Sequence, residues 1–134
     1  MGTGFSWTVR VYYEDTDAGG IVYYANYLKF FERARTEWLR ALDIGQQQLI
    51  EREQAMFVVK NVQIDYHAPA TLDDVLTLTL RIEKLGRATV NFAQQAWCGE
   101  VLLAEAAVRV GCVDSMTLRP RALPAGAAAK MLAA

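Results

Sequence analysis

Residues 27–42 are apolar at helical spacing over a wide arc, and an arc that wide needs a partner surface to cover it. At 100° per residue, Tyr27, Phe30, Phe31, Ala34, Trp38, Ala41 and Leu42 share one face, with Leu28 and Leu39 at its edges. Lys29, Glu32, Arg33, Thr36, Glu37 and Arg40 fill the other side. The partner surface is also written in the chain. Leu76, Leu78, Leu80 and Ile82 alternate with Thr77, Thr79, Arg81 and Glu83, the clearest strand signal present. Gly86-Arg87 and Gly99-Glu100 turn that strand into two more, over 88–97 and 101–113, the last with an inner row of Ala104, Ala106, Val108, Val110 and Cys112. Residues 57–66 form another strand, with Val58, Val62, Ile64 and Tyr66 expected on one face and Val59, Asn61, Gln63 and Asp65 on the other. One long helix lying along an antiparallel sheet makes an α+β domain.

Length and punctuation complete the outline. The 134 residues make a single domain, 1–134, with no internal repeat or linker. Asp43-Ile44-Gly45 is the expected helix stop, with Gly45 at or near the left-handed position after it. Gln46 to Gln54 reads as a short second helix touching the core through Leu49 and Ile50, and Pro69 closes the strand before it. The Ala-rich tail, 125–134, is expected to be a frayed helix or disordered.

Composition removes several classes of function. A net charge of −1 gives no electrostatic case for nucleic acid. No apolar run is long enough to span a membrane, and the N-terminus lacks the basic and apolar segments of a secretory signal. The cytoplasm is therefore the expected compartment. Met1-Gly2 fits the opening of a lipidation motif, which the rest of the chain gives no reason to adopt. Cys98 and Cys112 are too few and too far apart for a metal knuckle or redox pair and read as small core residues.

The chemistry gathers just ahead of the long helix. Arg10 to Tyr13 reads as a strand, and Glu14-Asp15-Thr16-Asp17-Ala18-Gly19-Gly20 breaks it with a tight acidic turn. A helix start presents amides and the positive end of the macrodipole, so a carbonyl oxygen there would be polarised while a nearby carboxylate attacked it or activated water. Asp17, beside Ala18 and two glycines, is the carboxylate a substrate could approach most closely. Asp15-Thr16-Asp17 also opens like a calcium loop, but the fifth and twelfth positions are Gly19 and Asn26, which lack the required carboxylates. Serine hydrolysis fails by inventory: Ser6 and Ser115 lie in no nucleophile elbow, and His67 is the single histidine, read as a surface or interface residue. Arg35 falls within the apolar edge of the helix and is expected to pair with Glu14 or Asp15.

The run Tyr13-Glu14-Asp15-Thr16-Asp17-Ala18-Gly19-Gly20-Ile21-Val22-Tyr23-Tyr24-Ala25-Asn26-Tyr27, followed by Phe31-Glu32-Arg33-Ala34-Arg35-Thr36-Glu37, closely resembles the hotdog-fold acyl-CoA thioesterases. Within them it is most similar to the branch associated with the bacterial Tol–Pal envelope system, a relative of the 4-hydroxybenzoyl-CoA thioesterases. The resemblance continues through residues 65–74 and 112–114 to Arg119-Pro120-Arg121-Ala122-Leu123-Pro124. It implies a hotdog fold, a long central helix wrapped by a five-stranded antiparallel sheet. It also implies Asp17 as the catalytic carboxylate and the main-chain amide near Tyr24 as holder of the thioester oxygen. The Tol–Pal type often carries His where this chain has Tyr24, and the hydroxybenzoyl type carries Tyr; a role played by the main-chain N–H would survive the exchange.

By the same resemblance Tyr13 hydrogen-bonds in the acyl site, and Lys60, Arg87, Arg119 and Arg121 are candidates for the phosphates of coenzyme A. No metal or redox cofactor is implied, since coenzyme A, or the arm of acyl carrier protein, arrives with the substrate. Subunits joined strand to strand into a dimer, or into a homotetramer built as a dimer of dimers, complete the expectation. Two rivals remain at this level: a dehydratase or isomerase on the same fold, for which His67 sits in the wrong segment, and a non-catalytic acyl-carrier or envelope-complex module.

Overall fold

The computed structural model describes residues 4–134; the N-terminal Met1-Gly2 motif lies outside them. Five strands form one antiparallel sheet: β1 (Phe5–Arg10), β2 (Ala55–Tyr66), β3 (Val75–Leu85), β4 (Thr89–Cys98) and β5 (Val101–Asp114), in the spatial order β1-β3-β4-β5-β2. The meander β3-β4-β5 is the one read from the two glycine turns. β1 is added to one side of it, and β2 becomes the edge strand at the other. Helix α1 (Asn26–Ala41) lies along the inner face, packed on Leu76, Leu78, Leu80, Val90, Phe92, Ala106, Val108 and Val110. This is the long helix on a five-stranded antiparallel sheet that the apolar arc and the alternating runs require.

The buried stripe of α1 is Tyr27, Phe30, Phe31, Ala34, Trp38 and Leu39. Ala41 and Leu28, expected in or beside it, are exposed. The stop is shifted from Gly45: Asp43 takes the left-handed conformation (φ 59°), and Gly45 caps the start of α2 (Gln46–Glu53). Aspartate accepts that backbone region better than most side chains.

Three other expectations change: Arg10 to Tyr13 is not a strand, since β1 ends at Arg10 and residues 13–15 form a single 3-10 turn. β2 carries a bulge between Val59 and Asn61, so its inward row switches phase. Phe57 and Val59 lie opposite Cys112 and Val110 of the inner row before the bulge, Val62 and Ile64 lie opposite Val108 and Ala106 after it, and Val58 falls on the outer face beside Gly111. The tail is not frayed: residues 125–133 form α3 (Ala125–Ala133), which buries Ala127 and Met131 against the core. Two side chains at i and i+4 are enough to dock a helix whose other residues are small.

Candidate active site

Asp15 and Asp17, two residues apart, have opposite situations. Asp15 is buried: its Oδ2 accepts the Tyr12 main-chain N–H at 2.8 Å, and its carbonyl accepts the Tyr23 N–H at 3.0 Å and the Asn26 side-chain amide at 2.8 Å. Asn26 is the first residue of α1, so these bonds tie the helix start to the acidic turn. Asp17 is exposed, and its one hydrogen bond to a side-chain oxygen among the described residues is from the Gly19 N–H to Oδ1, 2.9 Å. A bond from Asp17 N–H to the Ile21 carbonyl (2.9 Å), a Thr16–Val22 bridge and Gly20 at φ 80° fold residues 16–22 into a small hairpin. Ile21 and Val22 then pin this hairpin to Thr71 and Ala70 ahead of β3. A Cβ on Gly19 would stand 3.2 Å from Asp17 Oδ1, so glycine keeps one side of the carboxylate open.

The start of α1 differs in detail from the expectation of bare helical amides. Asn26, Tyr27 and Leu28 donate to the carbonyls of Tyr23, Tyr24 and Ala25, at 2.8, 3.4 and 3.1 Å. The open donors lie just ahead: the N–H groups of Tyr24 and Ala25 reach no acceptor among the described residues. Tyr24 is thus where an oxyanion donor was expected, though its amide belongs to the turn before the helix.

A tyrosine cluster surrounds this point. The Tyr66 hydroxyl donates to the Tyr24 carbonyl at 2.9 Å, and the rings of Tyr23 and Tyr66 lie 4.9 and 6.1 Å from that of Tyr24. Tyr23 is held above the usual phenol range by its hydrogen-bonding and charge contacts with Tyr24, then by desolvation and the charge of Asp17. Burial, helped by Tyr24, likewise pushes Tyr66 up. Beneath them Tyr27 is buried and pushed up to about 12, by burial first and then by Tyr66, Asp74 and Cys98. Tyr13, 83% exposed, contributes its carbonyl to Thr16 and has no described contact with Asp17. Tyr23 and Tyr66 are therefore the neighbours that the sequence did not single out. Tyr66 was legible only as one more inward residue of a strand.

The four candidate cations gather elsewhere. Lys60 lies across Gly111, where an added Cβ would stand 2.7 Å from its Cε. Arg121 donates to the Glu53 carbonyl at 2.6 Å and, through its main chain, to Cys112, while the Arg87 carbonyl accepts the Leu123 N–H at 2.9 Å and that of Arg119 accepts the Asp114 N–H at 2.8 Å. They cluster where β2 begins and β5 ends. Tyr66, by contrast, pairs with Ala104 near the start of β5. Eight strand residues separate Ala104 from Cys112, roughly 25 Å at about 3.3 Å each. One chain does not bring its cations to its own Asp17.

The remaining singled-out residues settle into local roles. Arg35 does not pair with Glu14 or Asp15: its Nη1 donates instead to Gln94 Oε1 at 3.0 Å, across the helix–sheet packing, and Gln94 Nε2 donates to the Phe31 carbonyl at 3.0 Å. His67 is exposed, with Nε2 2.8 Å from Glu105 Oε2. Cys112 is buried and its thiol is pushed up by that burial. Among the described residues no group of three His, Cys, Asp or Glu side chains could hold a metal ion, and no helix is long and apolar enough to cross a membrane.

Known proteins resemble this chain in sequence and fold. The profile of the Thioesterase superfamily matches residues 19–105. The chain is 50% identical over 124 residues to "Acyl-CoA thioesterase YbgC" of Haemophilus influenzae, covering 92% of this chain and 91% of that one. It is 50% identical over 123 residues to "Acyl-CoA thioester hydrolase YbgC" of Escherichia coli O157:H7, covering 91% of each. Among solved structures, a probable thioesterase from Bartonella henselae superposes with a TM-score of 0.87 at 37% identity, covering 91% of this chain and 100% of that one. With its five-stranded sheet, its central helix and these relatives, the chain belongs to the thioesterase superfamily and has the hotdog fold.

Proposed function

We propose that the protein is an acyl-CoA thioesterase, converting a thioester and water to a carboxylate and a free thiol, with Asp17 as its catalytic carboxylate. What supports this is an exposed Asp17 in the hairpin that leads toward α1, followed along the chain by two amides, at Tyr24 and Ala25, that no acceptor among the described residues takes up. A thioester carbonyl oxygen accepting those N–H groups would have its carbon exposed to Asp17, or to a water that Asp17 deprotonates. If Asp17 attacks, the thiolate leaves, and water then opens the resulting anhydride. If Asp17 acts as base, water adds directly and the proton passes to the departing sulfur. The curated relatives bear the names of acyl-CoA thioesterases and share half of their residues with this chain, which supports the same reaction class.

The working unit in this proposal is a dimer. β2 is a 12-residue edge strand, its outer side unpaired in the single chain. Antiparallel pairing of two copies along β2 would carry the cations at the start of one copy's strand toward Tyr66 and Asp17 of the other. Arg87, Arg119 and Lys60 would then serve the phosphates of coenzyme A bound to the neighbouring Asp17. Arg121, already engaged with Glu53, would act more as a brace. The resemblance to the Tol–Pal branch supports a cytoplasmic enzyme beside that envelope system, a pairing of dimers into tetramers, and acyl carrier protein as a second carrier of the substrate.

The test is hydrolysis of short-chain, long-chain and aromatic acyl-CoAs by the wild type and by Asp17→Asn. Loss of the carboxylate should lower kcat by roughly 10²–10⁴, the range of a positioned acid or base. Equal rates would remove Asp17 from the mechanism, and no turnover of any thioester would favour a binding module.

A further inference from the structure

The outer face of the sheet, turned away from α1, carries a pattern that is nearly a palindrome. Its middle row crosses four strands in register: Gln63 of β2, Ala107 of β5, Ala93 of β4 and Arg81 of β3. Residues two apart along a strand point the same way. So Asp65, Glu105 and Gln95 flank the middle row on one side, and Asn61, Arg109 and Asn91 flank it on the other. Asn61, Gln63, Asp65, Ala107 and Arg109 are exposed. The alanines leave a depression of about 430 Å³ at the centre, rimmed by Gln63, Thr79, Gln95 and Glu105.

A half-turn about the middle row exchanges the two flanking rows. Applied to a second copy laid face to face, it sets Glu105 over Arg109, Arg109 over Glu105, Gln95 over Asn91, and alanine over alanine. Packed sheets lie about 10 Å apart, a gap that Glu and Arg side chains span together. About 7 Å from the axis, the usual crossing angle of about 30° displaces such partners sideways by only about 3–4 Å. Both charges are free to pair. Glu105 Oε2 lies 2.8 Å from His67 Nε2, its Oε1 meets no donor among the described residues, and Arg109 enters none of their ion pairs. Gln95 Oε1 accepts from Trp97 Nε1 at 3.1 Å, which leaves its Nε2 to donate. Asn91 Oδ1 has no partner among the described residues, and a turn of that amide would present it to the Gln95 opposite. Arg81, on the row itself, meets its own copy; its side chain is 63% exposed and 3.9 Å from Glu83, so it can swing aside with its counter-charge.

We propose that this face is a docking surface for a second copy of the chain, and that through it the β2-paired dimers stack, sheet against sheet, into tetramers. This deepens the tetramer reading above by naming its surface, and it does not depend on the chemistry at Asp17. Closure supports the choice. In a tetramer with three mutually perpendicular two-folds, the axis along the row must cross the middle of the β2 seam. Gln63 stands near the middle of residues 61–66, the straight part of β2 beyond its bulge. Pairing centred on Gln63 sets Lys60 of one copy beside Tyr66 of the other, in keeping with cations reaching the neighbouring site. Both layers then turn α1 and the Asp17 hairpin outward, open to substrate.

The test is sedimentation velocity on the wild type, Glu105→Arg, Arg109→Glu and the double reversal. Each single change sets like charges together at both symmetric contacts, which should weaken the pairing of dimers at least about a hundredfold. The singles should then sediment as two copies where the wild type sediments as four, and the double reversal should return to four. His67→Ala, which removes the partner of Glu105 within the chain, should stay at four. Should the charge reversals fail to fold, Ala107→Lys at its exposed position on the axis should also give two copies. Singles and Ala107→Lys that all remain at four copies overturn the proposal while leaving the tetramer reading intact, since another face would then join the dimers. A double reversal that stays at two copies overturns the charge pairing. A wild type that stops at two copies, unmoved by these changes, overturns the proposal together with the tetramer reading.

Discussion

Tyr66, the last residue of the edge strand, donates its hydroxyl to the carbonyl of Tyr24 at 2.9 Å. That carbonyl shares its peptide plane with the N–H of Ala25, one of the two amides ahead of α1 that reach no acceptor among the described residues. The bond therefore sets the plane of a candidate oxyanion donor. Tyr66→Phe should cost about 1 kcal/mol of stability, the net worth of one hydrogen bond. It should lower kcat severalfold with little change in KM, because a reoriented donor matters most when charge develops. Steady-state kinetics beside a thermal melt checks both parts.

Tyr24 itself provides the contrast. The group in use there is main-chain, so Tyr24→Phe should keep kcat within about threefold of the wild type, well short of the 10²–10³ expected on losing an oxyanion donor. A much larger drop, measured on the same acyl-CoA, would assign the chemistry to the phenol.

Asp15 and Asp17 should separate stability from catalysis. Asp15→Ala removes a buried carboxylate and leaves the Tyr12 N–H without its acceptor. It should cost about 1–3 kcal/mol, read as a fall of several degrees in Tm. Asp17→Asn, at an exposed position, should stay within about 0.5 kcal/mol of the wild type while losing turnover.

Mixing two inactive proteins tests the dimer. Asp17→Asn lacks the carboxylate, and Arg87→Ala with Arg119→Ala lacks the phosphate contacts. If the two halves of a site come from different copies, co-refolding should restore about a quarter of wild-type activity, since half the dimers are mixed and each holds one intact site. Sites built within one chain would stay silent in the mixture.

Tyr27 gives a pH dependence with a definite sign. Its folded value, about 12, lies above the ordinary 10.0 of the unfolded chain, because burial opposes the phenolate. The stability from this group is therefore complete below about pH 10 and is lost as pH rises through about 12. Tyr27→Phe should weaken the alkaline fall in stability without touching the acid side, which denaturant titrations across that window will show.

The parts legible in sequence were those set by local period. The arc from Tyr27 to Trp38 and the alternation from Leu76 to Ile82 fixed which faces meet, and the glycine turns fixed the meander. The bulge at Lys60 was not legible, because one unpaired residue leaves both halves of β2 alternating and only their relative phase changes. Nor was the bond of Arg35 to Gln94, which joins residues 59 apart and depends on how the helix crosses the sheet. At the site, Asp17 stood out through its glycine neighbours. The separation of its loop from Arg87 and Arg119 follows from strand order, which no local pattern encodes.

Met131 adds a practical corollary. The last turn of α3 supplies one wall of the Arg35 cavity, a space that Phe57 and Phe92 also line. An affinity tag fused at Ala134, or a trimmed terminus, would tug on that wall from the outside. Laboratories comparing the stability of differently tagged preparations would then be comparing different rooms.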